Sequence, residues 1–448
     1  MKARKLAASP DPLLEEVIQR ALQRGAQQAE AFRSQLEETP VIFEANRLKE
    51  VTTRQIAGLA LRLVADGRLG AASSSHFGQL EELVEMALEA ALFGPPSYLR
   101  FPPEQTYPNV PTYDEQVPAT PIDEMVVVGE GLIREALRLQ PELVCDAYVH
   151  RAVQKIEGAN SAGGRFSFQR SIFSVGLHGV WVRGNDMLFV GDSLSSCQRI
   201  SDPASILEEV TRQLTWASKT ATITTGTYPV VFTPLGVASA LIGPLMVAFS
   251  GRAVYLGQSP LASRLGEKVY DSHIYLWDDP TIPYRPRSRI CDDEGVPSRR
   301  VSLVEGGLIC SFLYDLQTAG MAKAEPTGHG HRGAGGYVDI SPSCLVMAEG
   351  EASLEELIAD IYEGLVIDQL IGAGQGNVMG GDFSGNVLLG YKIEKGKVVG
   401  RIKDVVVAGN VHQLLGHHLL AVGRPARWVG SSLRVPPIAL TSLSVAAR

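Results

Sequence analysis

The spacing of apolar side chains predicts a helix, several short strands and a second helix in the first hundred residues. Apolar residues recur at helical intervals over residues 11–23, and Arg24-Gly25 supplies a stop signal. Four alternating runs then follow, over residues 40–44, 48–53, 56–64 and 69–74, before helical spacing returns over residues 80–93. We therefore predict an α-β-β-β-β-α unit whose strands form an antiparallel meander.

A proline-rich stretch over residues 94–121 separates this unit from a second one. Residues 122–139 have helical spacing, residues 143–196 consist almost entirely of strand-like runs between glycines, and residues 201–220 predict a closing helix. This order predicts a second, β-rich unit.

A third region begins near Gly226 and contains two predicted hairpins. One joins residues 301–304 to 308–314, and the other joins residues 387–393 to 398–407. Between them Ser353 and Glu356 form a capping box that begins a helix over residues 354–365. We predict an α+β fold of antiparallel sheets with flanking helices. Its parts are an N-terminal α-β-meander-α domain (residues 1–100), a middle β-rich domain (115–222) and a larger β-rich C-terminal domain (226–448).

The interval over residues 221–251 carries no charge, so it has to be tested as a membrane span. Its most helix-like part, residues 235–250, would be about 24 Å long. That is shorter than the hydrocarbon layer of a bilayer, about 30 Å, and Pro229, Pro234 and Pro244 interrupt the interval. We predict a strand followed by a helix buried in protein, and no membrane attachment.

Composition and charge indicate which kinds of partner the chain could bind and in which compartment it is expected. The formal net charge is -8 and no run of Lys or Arg exceeds two residues, which argues against direct binding to nucleic acid or to anionic membrane. The five cysteines form no CxxC pair, so neither a disulfide framework nor a zinc knuckle is indicated. Pro10, Asp11 and Pro12 follow the basic N-terminal residues before any apolar stretch, so we expect no secretory signal and a cytoplasmic protein.

The stretch over residues 290–315 concentrates charge beside the first hairpin. Its members, in order, are Asp292, Asp293, Glu294, Gly295, Pro297, Arg299 and Arg300. A salt-bridged corner, in which these acids and bases neutralise one another, and a charged rim beside a groove are both compatible with this composition. From charge alone we favour the salt-bridged corner.

Histidines and a glycine-rich run supply the remaining candidates for chemistry. His329 and His331 have a spacing that can chelate a metal from an extended chain, and a second cluster comprises His412, His417 and His418. Neither cluster has a carboxylate or thiolate companion nearby in sequence, so solvated loop histidines are the favoured interpretation. No HExxH or HExxxH string occurs. We name no catalytic residue and no metal ligand, and take His329, His331, Asp382 and Ser384 as candidates for a peptide groove.

Several ordered motifs together resemble the TldD/PmbA family, long labelled modulators of DNA gyrase. They are Ala29-Glu30-Ala31, GLALR at residues 58–62, DGRLGA at 66–71, residues 258–266, DDEGVP at 292–297, VEGG at 304–307, Thr327-Gly328 and GDFSG at 381–385. In that family two related kinds of subunit pair as a metalloprotease. The TldD kind holds zinc with an HExxxH helix and a C-terminal cysteine, its glutamate acting as general base, whereas the TldE/PmbA kind lacks those ligands.

The resemblance implies that this chain is of the TldE/PmbA type. Counting back from residues 265–268 places the zinc helix at residues 241–247, which spell LIGPLMV and put Ile242, Gly243 and Val247 at the three ligand and base positions. We expect this helix to be core only. The loop corresponding to the cysteine, residues 429–433, has no cysteine. The chain alone is therefore expected to be non-catalytic and to hold no cofactor, with zinc in a TldD-type partner.

The implied function is that of a subunit of a TldD/TldE-type metalloprotease acting on peptides or unfolded small proteins, paired with a TldD-type sister or with itself. Two alternatives stay open: a standalone hydrolase or metalloprotease with a divergent site at His329, His331 or Ser384, and a non-enzymatic homodimeric peptide-binding protein. The resemblance also changes the interpretation of DDEGVP and Arg300, which become a structural bracket of the active-site region. Asp293→Ala should then impair folding or assembly.

Overall fold

The computed structural model of the chain describes residues 11–184 and 186–447. The expectation of no secretory signal rests mainly on residues 1–10, which lie outside the described residues.

The first half of the chain packs helices against one antiparallel sheet. The helices are α1 (Pro12–Gln23), α2 (Leu80–Phe93), α3 (Gln116–Ala119), α4 (Ile122–Leu139) and α5 (Ala204–Trp216). The strands are β1 (Gln28–Glu44), β2 (Arg47–Val51), β3 (Arg54–Ala65), β4 (Arg68–Ser74), β5 (Val144–Asn160), β6 (Arg165–Arg183) and β7 (Asp186–Ser196). The strand order is β4-β3-β1-β5-β6-β7, with β2 beside β1.

The predicted α2 and α4 are confirmed to the residue, but the predicted meander is wrong. Strand β1 begins at Gln28 and pairs with β3 along its first half and with β2 near its end, so β2 and β3 share one flank of β1. The sequence pattern did not predict the first half of β1, because its polar residues break the alternation of a strand. In the structure Glu30 and Arg33 are not exposed but are paired with charged neighbours. Strand β1 also pairs with β5, so the predicted first and middle domains share one sheet; the three-domain division stays a prediction.

The second half of the chain is built mostly from strands. Its helices are α6 (Pro234–Ala240), α7 (Ile242–Ala248), α8 (Gly251–Tyr255), α9 (Leu316–Ala322), α10 (Leu354–Ala359) and α11 (Val411–His417), with a 3-10 turn at Val378–Gly380. Its strands are β8 (Gly226–Phe232), β9 (Leu276–Asp278), β10 (Val301–Glu305), β11 (Leu308–Ile309), β12 (Gly330–Arg332), β13 (Val338–Ile340), β14 (Leu345–Met347), β15 (Ala352–Ser353), β16 (Glu363–Ile371), β17 (Asp382–Glu394), β18 (Lys397–Arg401), β19 (Val405–Asn410), β20 (Leu419–Arg424), β21 (Arg427–Val429), β22 (Leu433–Val435) and β23 (Ile438–Ala447).

The largest sheet of this half closes on itself. Strand β8 pairs in parallel with β16 on one side and antiparallel with β23 on the other, and β17 and β19 complete the ring. Closure leaves these strands without an open edge. A second sheet has the order β11-β10-β9-β14-β22-β21, and β12 pairs with β13. A shared apolar core lies between the closed sheet, the second sheet and helices α6, α7 and α11.

The predicted α+β class with mostly antiparallel sheets is confirmed, and so are both hairpins. In the second hairpin Lys395 and Gly396 have φ of 50° and 73°, as the tight turns of hairpins require. The capping box is present, but the helix predicted over residues 354–365 ends at Ala359. Residues beyond it enter β16, because their backbone pairs with β8 in the closed sheet.

The uncharged interval folds as strand β8 followed by the short helices α6, α7 and α8. Within the described residues, no helix has both the length and the apolar content to cross a membrane.

Candidate functional site

The DDEGVP turn is buried. Asp292 and Glu294 are 0% exposed and Asp293 is 7% exposed. Gly295, at φ 77°, closes the turn by donating its N–H to the carbonyl of Asp292. The carboxylate of Asp292 accepts hydrogen bonds from the backbone N–H groups of Glu294 (3.0 Å), Val296 (2.9 Å) and Gly330 (2.9 Å). The first acid of the motif therefore shapes the turn and attaches it to β12.

The third acid, Glu294, joins the turn to the N-terminal sheet. Its Oε1 lies 2.7 Å from Nη1 of Arg62 on β3, and its Oε2 accepts the N–H of Leu316 at 2.7 Å. Arg62 also contacts Glu30 of β1 at 2.9 Å, and Glu30 in turn pairs with Arg332 of β12. We call Glu30, Arg62, Glu294 and Arg332 the buried ion network. Every side chain in it is at most 3% exposed.

The surroundings of the acids shift their pKa values in opposite directions. Burial, reinforced by the neighbouring carboxylates, raises the pKa of Glu294 to about 8 against the opposing charge of Arg62. Burial likewise raises the pKa of Asp292 to about 6. Burial acts on Asp293 too, but the hydrogen bond from His331 and the charge of Arg289 outweigh it and hold the pKa of Asp293 at about 2.

From charge alone we expected the acids of the turn to pair with Arg299 and Arg300, and this expectation is wrong. Arg299 donates to the carbonyl of Pro326 at 3.2 Å, and the guanidinium of Arg300 stacks on Trp277 at 4.1 Å from the ring centroid. Glu294 is paired instead with Arg62, which lies far away in sequence, while Asp293 faces His331 and Asp292 accepts backbone N–H groups. Sequence order could not reveal this, because Arg62 lies on a strand of the other half of the chain.

His329 and His331 each have a carboxylate partner, so the expectation of solvated loop histidines is wrong for His329. His329 is 0% exposed, with Nε2 3.0 Å from Asp278 and Nδ1 2.9 Å from Thr327 Oγ1. His331 is half exposed, and its Nδ1 lies 3.1 Å from the carboxylate of Asp293. No local pattern could link His329 to Asp278, which lies on β9 and meets it only in the folded chain.

Asp382 and Ser384 lie on a different sheet from His331, and His329 comes directly before the strand of His331. Asp382 and Ser384 belong to β17 of the closed sheet, where Asp382 accepts a hydrogen bond from Asn410 Nδ2 at 2.8 Å and Ser384 is paired with Ala408. Within residues 11–184 and 186–447, no hydrogen bond joins this pair to His329 or His331. That all four line one peptide groove stays a prediction.

Helix α7 is the helix at which the count from residues 265–268 expects the zinc ligands of a TldD-kind subunit. Ile242 and Val247 are half-buried and Gly243 is exposed, while Leu245 and Ala248 are buried. The expectation of a helix that is core only is thus wrong for the ligand-bearing face, which is partly open. Side chains of Ile and Val carry no nitrogen, oxygen or sulfur, so these positions do not fit zinc.

His412 was expected to be a solvated loop histidine of the second cluster, and that expectation is wrong, because His412 lies in helix α11 and is half-buried. Its Nδ1 lies 2.8 Å from the hydroxyl of Tyr270, and its Nε2 is buried without a hydrogen-bond partner among the described residues. Burial lowers the pKa of His412 to about 4, so it is neutral at physiological pH. In the part of the chain that the structure describes, no three His, Cys, Asp or Glu side chains are grouped to hold a metal ion.

A second set of buried charges lines a cavity of about 170 Å³ where α5 meets β21. Arg427 contacts Asp192 at 2.6 Å and Glu209 at 2.8 Å, and Arg212 contacts Asp368 at 2.9 Å. Desolvation raises the pKa of Asp192 and of Asp368. These pairs join the two halves of the fold, as the buried ion network does.

Comparison with known proteins agrees with the motifs. The sequence profile of PmbA/TldA metallopeptidase domain 1 matches residues 29–91, and that of the PmbA/TldA metallopeptidase C-terminal domain matches residues 225–447. The chain is 25% identical to an uncharacterized protein of Methanocaldococcus jannaschii over 80% of this chain and 82% of the relative. It is 26% identical to the metalloprotease PmbA of Escherichia coli O157:H7 over 42% of this chain and 39% of the relative.

Comparison with solved structures points to the same family. The crystal structure of TldE from Thermococcus kodakarensis matches with a TM-score of 0.86 and 25% identity, covering 97% of this chain and 100% of that one. The chain therefore belongs to the PmbA/TldD family and is of the TldE/PmbA type.

Proposed function

We propose that this chain is the non-catalytic, TldE/PmbA-like subunit of a TldD/TldE-type metalloprotease complex that acts on peptides or unfolded small proteins. What supports the proposal is the sequence of helix α7, which has Ile242, Gly243 and Val247 at the positions that the resemblance assigns to the two histidines and the glutamate of an HExxxH helix. The glutamate is the general base of such a site, so Gly243 removes the proton acceptor together with the metal.

Other groups near α7 do not replace the missing ligands. A zinc site needs several nitrogen, sulfur or oxygen donors converging on one point. His412 is a single donor whose Nδ1 is already engaged by Tyr270. No step of peptide hydrolysis can therefore be assigned to this chain's own residues, and the chemistry is expected in a sister subunit.

The names of the relatives support a peptidase context. The Escherichia coli relative is named a metalloprotease and the Thermococcus protein is named TldE. We propose that peptides bind in extended form by adding a strand to an open sheet edge, because backbone hydrogen bonds tolerate varied sequences. The terminal strands of the antiparallel sheet of the first half are β4 and β7; Pro95 already pairs with Leu69 of β4 and Gln213 with Gly191 of β7, so an added strand would bind beyond these residues. A cytoplasmic location stays a prediction.

The test is a comparison of zinc content and peptide cleavage between the purified chain and its complex with an HExxxH-bearing sister. The lone chain should hold no stoichiometric zinc and cleave no unfolded peptide, while the complex does both. Gly243→Ala in this chain should leave turnover by the complex unchanged, because position 243 takes no part in the chemistry. Zinc and cleavage in the lone chain would refute the proposal.

The alternative of a standalone hydrolase rests on His329, His331 and Ser384. Full burial of His329 between Asp278 and Thr327 weakens it, because a substrate has no access to that imidazole. Changing all three residues to alanine decides the matter: metal content and activity should be unchanged. A homodimeric binding protein without a protease partner would show peptide affinity, but no gain of turnover with any HExxxH sister.

A further inference from the structure

The cavity of about 170 Å³ where α5 meets β21 has a buried end and an exposed end. Asp192 and Glu209 line the buried end and are 9% and 5% exposed. Glu355, Arg424 and Pro425 line the same cavity and are exposed, so it opens to the surface beside the start of α10. We call it the junction cavity, and we call Glu355 and Arg424 its rim charges.

The pairing of two short strands brings the rim charges to the same opening. Strand β15 pairs in parallel with β20, and in this pairing Ser353 lies opposite Arg424. Ser353 is also the N-cap of α10, so Glu355 stands in the first turn of that helix, just beyond the paired residues. The backbone therefore fixes an acid and a base at the mouth of one cavity.

The rim charges are not used by the fold itself. Over residues 11–184 and 186–447, the side chains of Glu355 and Arg424 form no salt bridge and no hydrogen bond, with one another or with other residues. The neighbouring acid Glu356 is engaged in the helix cap: hydrogen bonding to Ser353, and to a smaller extent the charge of Arg424, lowers its pKa. An acid and a base are thus both free to meet a ligand at this opening.

The charges at the buried end of the junction cavity are paired with one another. Arg427 lies 2.6 Å from Asp192 and 2.8 Å from Glu209, and Arg212 lies 2.9 Å from Asp368. Desolvation raises the pKa of Asp192 and of Asp368, which limits the excess of negative charge in this set. A ligand therefore finds its charged partners at the rim and not at the buried end.

Most of the remaining wall of the junction cavity is apolar. It comes from the starts of α6 and α10, from β21 and from the residue before β23, and its members are Pro234, Leu235, Leu354, Trp428, Val429 and Pro437. The indole of Trp428 is held in place by the guanidinium of Arg285, 4.1 Å from the ring centroid. An apolar cavity of about 150 Å³ can hold a benzene molecule. The junction cavity therefore has room for one apolar side chain of the size of leucine or phenylalanine.

We propose that the junction cavity is a binding site for a free amino acid with an apolar side chain. The α-carbon of such a molecule carries an ammonium, a carboxylate and a side chain, which match an acid, a base and an apolar cavity. Glu355 accepts hydrogen bonds from the ammonium, and Arg424 donates to the carboxylate. A ligand with a single charge leaves one of the rim charges unpaired. The site does not rest on the proposed role in a peptidase, because the chain alone contains all of it.

The experiment measures the melting temperature and the binding heat of the full chain with leucine and with three molecules that each lack one of its groups. Isocaproate lacks the ammonium, isoamylamine lacks the carboxylate and glycine lacks the apolar side chain. Leucine should raise the melting temperature saturably, and each of the other three should bind at least about tenfold more weakly. Absence of saturable binding by both leucine and phenylalanine, or equal binding of leucine and the molecules with one charge, would overturn the proposal.

Two variants at exposed positions assign each rim charge to its group on the ligand. Arg424→Gln should abolish the preference for leucine over isoamylamine, because the carboxylate has then lost its partner, and it should keep the preference over isocaproate. Glu355→Gln should do the reverse. Glu351→Gln is the matched control, since Glu351 is exposed nearby in sequence but does not line the cavity, and it should bind leucine as the natural chain does. Both preferences retained in either folded rim variant would place the amino acid elsewhere and contradict the assignment.

Discussion

Removing the side chain of Arg62 should weaken the attachment between the two halves of the fold, because this side chain contacts an acid from each half. Its guanidinium lies 2.9 Å from Glu30 in the N-terminal sheet and 2.7 Å from Glu294 in the DDEGVP turn. The side chains of the three residues are 3%, 3% and 0% exposed. The substitution Arg62→Met keeps most of the volume and removes the charge, so its effect is mainly electrostatic.

The magnitude follows from burial. Deleting one partner of a buried ion pair typically costs about 3–5 kcal/mol, because it leaves the other charge without compensation. Here two carboxyl groups lose their common cation, and Arg332 is the remaining guanidinium beside Glu30. We therefore expect Arg62→Met to lower the free energy of unfolding by about 3–5 kcal/mol at about pH 9, where Glu294, with its folded pKa of about 8, is ionised. The loss should be smaller at pH 7 and below, where Glu294 is largely protonated and needs no counter-charge.

Urea denaturation followed by tryptophan fluorescence measures this change. Arg54→Met is the control. Arg54 lies on β3, as Arg62 does, but it is exposed and pairs with the exposed Glu50 at 2.7 Å. An exposed pair is worth about 0–1 kcal/mol. The double variant Arg62→Met/Glu294→Gln should recover part of the loss. Equal effects of the two single variants, or no recovery in the double, would refute a network that joins the halves.

Three further predictions concern the turn regions. Gly307→Ala should destabilise the chain by more than about 2 kcal/mol, because φ is 82° and a Cβ would lie 2.1 Å from the carbonyl oxygen of Tyr270. The control is Gly243→Ala, which has open space around its Cβ and should not change the thermal unfolding. Asp293 has a folded pKa of about 2, below its ordinary value, so its contribution to stability is present above about pH 4 and is lost as pH falls; Asp293→Asn should flatten only this acid limb of the stability profile. Glu294 has a folded pKa of about 8, above its ordinary value of 4.5, so its contribution is complete below pH 4.5 and is lost as pH rises; Glu294→Gln should flatten the profile between pH 5 and 8, and an unchanged slope there would contradict the shift.

Local patterns predict the helices and turns of this chain well. The helices α2 and α4 have the predicted bounds, since helical spacing of apolar residues reports directly on a face that packs. The tight turn at Lys395-Gly396 is visible because the sequence places a glycine there, which adopts positive φ without strain. In these elements, neighbouring residues determine the structure.

What the sequence could not show depends on partners distant along the chain. The first half of β1 contains Glu30, a polar residue that becomes a buried one only because Arg62 and Arg332 meet it. The burial of His329 likewise depends on Asp278, from a strand more than forty residues earlier. Charged side chains that pair across sheets cannot be distinguished in sequence from exposed ones. The contacts of the candidate residues were therefore not predictable, and a peptide groove at these residues stays a prediction.

The central claim is that the chemistry of the complex resides in a sister subunit. The most direct measurement is the zinc content and the peptide turnover of the chain alone and of its complex with an HExxxH sister whose glutamate is intact or replaced by glutamine. We predict zinc and turnover only in the complex, and loss of turnover when the glutamate of the sister is replaced. One zinc per lone chain together with peptide cleavage, or turnover by the complex that survives loss of that glutamate, would contradict the account.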